Sequence, residues 1–178
     1  MGEAKRKKAD QQAWLNGLTP DEQKIVQVCR HLHARLNKRA GFVEACYFYA
    51  FFLRKYLREE HGIVVNPVVG WARFKSNLFA HAWVEYKDKV IDLSLIQTNN
   101  PVVAPPGQLL VLGFPLAEGV AYKYMKETSP EIAAAAGVDR IAMVEKMRAI
   151  AQDDQRIDDY FRNAPPQYRY EAVAASLT

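Results

Sequence analysis

FAHAWVEYKDKVIDLS, residues 79 to 94, reads as two short strands around a tight turn. Side chains alternate across a strand, so His81, Trp83 and Glu85 share one face, and in the next strand Val90, Asp92 and Ser94 share one face. A two-residue loop (Lys87, Asp88) and a four-residue loop (Tyr86 to Lys89) give the same register, with Trp83 opposite Asp92 and His81 diagonal to it. Diagonal neighbours lie about 7–8 Å apart at the backbone, within side-chain reach. A loop of odd length would turn Asp92 to the other face. The hairpin therefore predicts an imidazole beside a carboxylate, an arrangement that fixes the tautomer and favours the imidazolium. A purely structural His–Asp hydrogen bond has the same pattern, so the hairpin alone does not define a site.

The flanking sequence gives the hairpin its setting. Upstream, Thr19-Pro20-Asp21-Glu22 predicts a helix start, with Thr19 as N-cap, Pro20 at the first helical position and Glu22 closing a capping box. Ile25, Val28, Cys29, Leu32 and Leu36 then form one apolar stripe, and the helix stops near Asn37 to Gly41. A second helix, starting near Gly41 or Phe42, runs through CYFYAFFLRKYLREEH and stops at Gly62. Its first turns are apolar nearly all round, the pattern of a helix buried at the centre of a domain. Strand-like segments follow at 63–75, 80–86 and 90–96, the first carrying Pro67, which argues for an edge or a break. Residues 97–119 are rich in Pro, Gly and Asn, with a short strand at 109–112. The remainder reads as helical, with starts at Ser129-Pro130 and Asp139 and one long amphipathic segment through Ile141, Val144, Met147, Ile150 and Ile157. Helices, then an antiparallel meander, then helices predict an α+β fold: a Cys-bearing buried helix on an antiparallel sheet, with flanking helices.

Composition bounds the function. The chain has 178 residues, 49% apolar and 25% charged, which fits one globular domain over residues 10–178 with a helical C-terminal extension. The formal charge is +4, and part of the excess sits in MGEAKRKK, so residues 1–9 read as a flexible, solvated basic arm and the body is close to neutral. That balance argues against nucleic acid as a partner. No run approaches the roughly 20 apolar residues that span a bilayer, so membrane insertion is not expected. No apolar run follows the basic start, and Arg6 stands where a myristoylation motif needs Ser or Thr. Two cysteines, Cys29 and Cys46, make no disulfide framework, and a reducing cytoplasm is the expected location.

Cys46 completes the chemistry. It falls in the first turns of the buried helix, where unpaired N–H groups and partial positive charge favour a thiolate, as does a nearby imidazolium. A cysteine whose base is a histidine, itself oriented by an acid, is the nucleophile–base–orienter set of acyl-transfer enzymes. The bland alternative is a buried cysteine acting as a small hydrophobe.

Cys46 at the start of an apolar helix, Gly62-Ile63, Val68-Val69-Gly70, His81-Ala82-Trp83-Val84-Glu85 and Val90-Ile91-Asp92-Leu93 together resemble the transglutaminase-like superfamily of cysteine enzymes. Within it the look-alikes are leader peptidases of lasso-peptide (microcin-type) biosynthesis. The resemblance spans Cys46 to Ser94. It implies a transglutaminase-like (papain-like) core and a Cys46–His81–Asp92 triad acting on peptide or amide bonds through a thioacyl intermediate. It implies a peptide or protein substrate, and no metal or organic cofactor. Water as acceptor gives a peptidase or amidase, and an amine gives a transglutaminase or acyltransferase. Trp83, flanking His81, is expected to touch substrate or shield the ion pair, and residues 99–114 to line the cleft. The chain departs from the family pattern at Glu44-Ala45, where a glycine usually precedes the nucleophile. It offers no clear side-chain oxyanion donor, and Asn37 and Trp14 qualify only as residues preceding the Cys helix.

Other readings stay open. The fold is also compatible with a catalytically inactive binding or scaffolding module. Cys29 and His33 lie four apart on a helix, but nothing nearby completes a tetrahedral metal site, so no metal is expected. The KRKK run suits a solvated tail better than a nucleic-acid contact.

Overall fold

A computed structural model describes residues 2–36, 45–102 and 104–177. The architecture is α+β. Three helices, α1 (Glu3–Asn16), α2 (Pro20–Leu36) and α3 (Cys46–His61), precede a sheet of β1 (Asn66–Phe74), β2 (Asn77–Tyr86), β3 (Lys89–Ile91) and β6 (Lys123–Met125), in the antiparallel order β3-β2-β1-β6. A two-stranded sheet, β4 (Leu109–Val111) with β5 (Phe114–Ala117), lies between them in sequence. Helices α4 (Pro130–Ala136), α5 (Val138–Ala151), α6 (Asp154–Arg162) and α7 (Tyr170–Ala174) follow, with one 3₁₀ turn at Pro166–Tyr168. None of the described helices is long and apolar enough to cross a membrane.

The segment expected to be a flexible arm is helical from Glu3, with Lys5 to Lys8 exposed along α1. Its far end is tied down by Trp14 stacked on Phe114, centroids 4.3 Å apart. The α2 stripe Ile25, Val28, Cys29, Leu32 and Leu36 is buried as expected. Its capping box is formed: the Thr19 N–H donates to Glu22 Oε2 at 2.9 Å, and the Glu22 N–H donates to Thr19 Oγ1 at 3.4 Å. Glu22 also accepts from Lys89 Nζ at 2.6 Å, which ties α2 to β3. The Lys89 hydrogen bond, followed by that of the Thr19 backbone, outweighs burial and holds the Glu22 carboxyl down at about 2.

A depressed folded-state value stabilises above the ordinary carboxylate pKa, and that contribution is lost as pH falls through about 2. Glu22→Gln keeps an acceptor for the cap but loses the charge. Because the lysine is half-exposed, the expected cost is about 1 kcal/mol at pH 7. In urea unfolding the gap between wild type and variant should close between pH 4.5 and 2; a gap independent of pH would assign Glu22 to capping alone.

In α3, Phe48, Phe51, Phe52, Leu53 and Leu57 are buried, and the helix packs on β1 and β2. It ends at Gly62, whose φ of 67° a residue without a Cβ adopts at least cost; the Gly62 and Ile63 N–H groups close back on Arg58 and Leu57. The described helix begins at Cys46; the earlier start expected near Gly41 or Phe42, and the α2 stop, lie outside the described residues.

Three further elements depart from expectation. β5 and β6 fall in sequence read as loop and helix. The expected long helix to Ile157 is broken after Ala151, because Asp153 caps a new helix by accepting from the Gln155 and Arg156 N–H groups. Pro67 is tolerated because β6 pairs only with Trp71 to Arg73, leaving β1 with one neighbour at Pro67.

Candidate active site

The β2–β3 hairpin closes on the two-residue loop. Tyr86 pairs with Lys89 and Val84 with Ile91, and Lys87 and Asp88 both take positive φ (47° and 63°), the left-handed pair that matches hairpin twist. Asp92 therefore keeps the expected parity. Its backbone leaves β2 and bridges to β4 instead, the Asp92 N–H donating to Leu110 O at 2.9 Å and the Leu110 N–H returning to Asp92 O at 3.0 Å. His81 and Asp92 meet at 2.6 Å between Nε2 and Oδ2.

Asp92 is buried, 2% exposed, and fully engaged. Oδ2 takes His81 Nε2 and, at 2.8 Å, the Tyr124 hydroxyl from β6; Oδ1 accepts from the Ser94 N–H at 2.9 Å and the Ser94 hydroxyl at 2.8 Å. Burial opposes its charge, but the His81 charge and these hydrogen bonds prevail, and its pKa is lowered. Burial likewise pushes His81 down, and is overcome by the Asp92 charge and hydrogen bond and by a hydrogen bond with Cys46, so that its pKa is raised. Both shifts favour the charged forms, an imidazolium beside a carboxylate. Nε2 is committed to Asp92, which leaves Nδ1 for the thiol.

Cys46, His81 and Asp92 are thus brought together. Cys46 is the first residue of α3, so its N–H has no intrahelical acceptor and no described side chain caps that end. Cys46 and His81 line a cleft of about 490 Å³ whose walls include Leu78, Phe79, Ala80, Leu95 and Met143. Of residues 99–114, expected to line it, Asn100 and Ala104 do so; Gln97 and Thr98 precede them, and α5 supplies Arg140 and Met143.

Trp83 does not fit a substrate-binding role. It is 2% exposed, is not among the residues lining the cleft, stacks near His81 (6.3 Å between centroids) and packs on Tyr124 at 5.1 Å. Its indole N–H donates to Glu85 at 3.0 Å, satisfying a buried donor within the sheet. Of the two suggested oxyanion donors, Asn37 lies outside the described residues, and Trp14 is stacked on Phe114 and is not among the described residues that line the cleft.

Tyr124 is the site residue that the sequence did not indicate. It stands in a three-residue strand, 32 residues beyond Asp92, with no periodicity to mark it. Its neighbour in the other direction is His81, centroids 6.0 Å apart. Burial, then the Asp92 charge, pushes its hydroxyl pKa up, so it stays a donor.

Cys29 is fully buried and its thiol pKa is raised by that burial. Among the described residues no three His, Cys, Asp or Glu side chains gather to hold a metal ion. No family model, curated protein or solved structure matches the chain.

Proposed function

We propose that the protein is a transglutaminase-like cysteine enzyme that transfers or hydrolyses acyl groups of peptide or amide substrates. One observation carries this reading: Cys46, at a helix start and on the cleft wall, meets an imidazole whose far nitrogen is held by a four-times hydrogen-bonded carboxylate. A carboxylate needed only for packing has no reason to be buried with a charged histidine that faces a thiol, since breaking even with apolar residues is the usual outcome of such burial.

In the proposed reaction the Cys46 sulfur attacks the acyl carbon, forming a C–S bond and an oxyanion. The Cys46 backbone N–H donates to that oxyanion. As the intermediate collapses, the carbon–nitrogen bond breaks and His81 gives its proton to the departing amine. A water or a second amine then attacks the thioester, His81 takes the proton, and the sulfur leaves. Asp92 holds the imidazole orientation throughout, and Tyr124 and Ser94 hold Asp92.

The test is acylation by 4-nitrophenyl acetate, with the acetylated residue found by peptide mass spectrometry. The expected product carries acetyl on Cys46 and none on Cys29, and His81→Ala slows its formation by about a hundredfold. An unmodified Cys46, or a rate indifferent to His81, overturns the enzyme reading and leaves the inactive binding module.

A further inference from the structure

The cleft has a chemical polarity of its own. Its wall is apolar at Leu78, Phe79, Leu95 and Met143, and no carboxylate is among the described residues that line it. The neutral polar groups at hand are engaged: Ser94 holds Asp92, and the Thr98 hydroxyl donates to Ala104 O at 2.5 Å. Arg140 differs. It is exposed on the first turn of α5, makes no ion pair with a described residue, and is the one arginine or lysine among the described residues that line the cleft.

The rim adds a second observation. Four large apolar residues are well exposed among those described, and three of them belong to the two elements that flank the cleft: Val102 (89%) between Asn100 and Ala104, and Val138 (81%) and Met143 (41%) around Arg140. Of these, Met143 lines the cleft itself, one turn along α5 from Arg140. A guanidinium beside an apolar wall, with no ion-pair partner among the described residues, is the group that recognises a carboxylate or phosphate.

We infer that the cleft takes an anionic acyl donor: apolar groups next to the reacting carbonyl, and an acidic group beyond them on Arg140. This rests on the thiol reading above and narrows its substrate class. It excludes donors with a basic side chain at that position, because Arg140 and the His81 imidazolium repel them.

Two alkylating reagents of nearly the same size test it. Iodoacetate and iodoacetamide both form a C–S bond with Cys46 and release iodide, and differ in charge. Their rate ratio at Cys46, measured by peptide mass spectrometry at low salt, reports the field at the cleft. Arg140→Gln is expected to lower the iodoacetate-to-iodoacetamide ratio about fivefold, Arg140→Lys to restore most of it, and about 0.5 M salt to shrink the difference. Arg156→Gln, on a paired surface arginine, should leave the ratio unmoved. The same pattern is expected for 4-nitrophenyl succinate against 4-nitrophenyl acetate. A ratio independent of Arg140, with Cys46 reactive, overturns the anionic-donor inference and spares the enzyme reading. A Cys46 that neither reagent modifies overturns both.

Discussion

Asp92→Ala is expected to destabilise the protein by about 3–5 kcal/mol, the cost of stranding one partner of a buried charge pair. Nothing else in the pocket replaces the carboxylate. His81 Nε2, the Tyr124 hydroxyl and both Ser94 donors lose their acceptor together. The sign of the pH dependence is best read in a Cys46→Ala background, which leaves Asp92 as the one partner raising the His81 pKa. With Asp92 present, its charge and hydrogen bond hold the folded-state pKa of His81 above the unfolded value. That stabilisation is complete below the unfolded value of about 6.5 and is lost as pH climbs toward the folded one. Asp92 itself, with a lowered folded value, contributes above its unfolded pKa of about 3.9 and loses that as pH falls further. The pair therefore stabilises most between about pH 4 and 6.5. Without Asp92, only burial acts on the imidazole, and burial favours its neutral form. Stability should then rise with pH between 5 and 6.5, where the parent is flat. Urea midpoints across that range, with the His81 ring protons followed by NMR, decide the matter. A variant that loses stability without changing its slope would mean that His81 is neutral in the folded protein.

Gly70→Val is expected to cost about 3 kcal/mol or to prevent folding, and to slow Cys46 acylation in whatever protein folds. Gly70 pairs with His81 in the β1–β2 ladder. A Cβ there would overlap the Met125 carbonyl oxygen, meet the Trp83 ring at 3.1 Å and press on Lys126 at 3.2 Å. The first and last of these are backbone, so β6 must move, and β6 carries Tyr124 to Asp92. The two losses should thus travel together: weaker packing of Trp83 and a looser hold on the carboxylate. Gly17→Ala is the control. Its Cβ would find only ordinary contacts, at 3.6 and 3.8 Å, and its φ of −86° suits any residue. Its effect should stay within about 0.5 kcal/mol. If Gly70→Ala is as mild as Gly17→Ala, the glycine is not what lets β6 and Trp83 approach.

Much of the site was legible because it is built from local rules. The parity of a two-residue loop puts Asp92 on the side of His81, and a period of two admits no intermediate answer. Thr19 and Glu22 close their cap within a single turn, and Gly62 ends α3 because only a residue without a Cβ penalty takes that φ readily. The apolar surround of α3 announces its burial in the same way. Each of these depends on neighbours a few residues apart. What tertiary structure alone decided is non-local. β6 is three residues long and gains its identity only by pairing with Trp71 to Arg73, some 50 residues earlier. Tyr124 thereby reaches Asp92. Gly70 looks like any strand glycine until the β6 backbone crosses it. Trp83, two residues from a site histidine in sequence, packs on Tyr124 and bonds Glu85 instead of lining the cleft. Arg140 and Met143 join the cleft through the docking of α5 on β1. The sequence by itself determined which groups share a face and where helices begin and end, because those are set by backbone sterics and hydrogen bonds within a few residues. Only the packed chain decided what stands behind the imidazole and what opens in front of the thiol, because those contacts are selected by the burial of surfaces far apart along the chain.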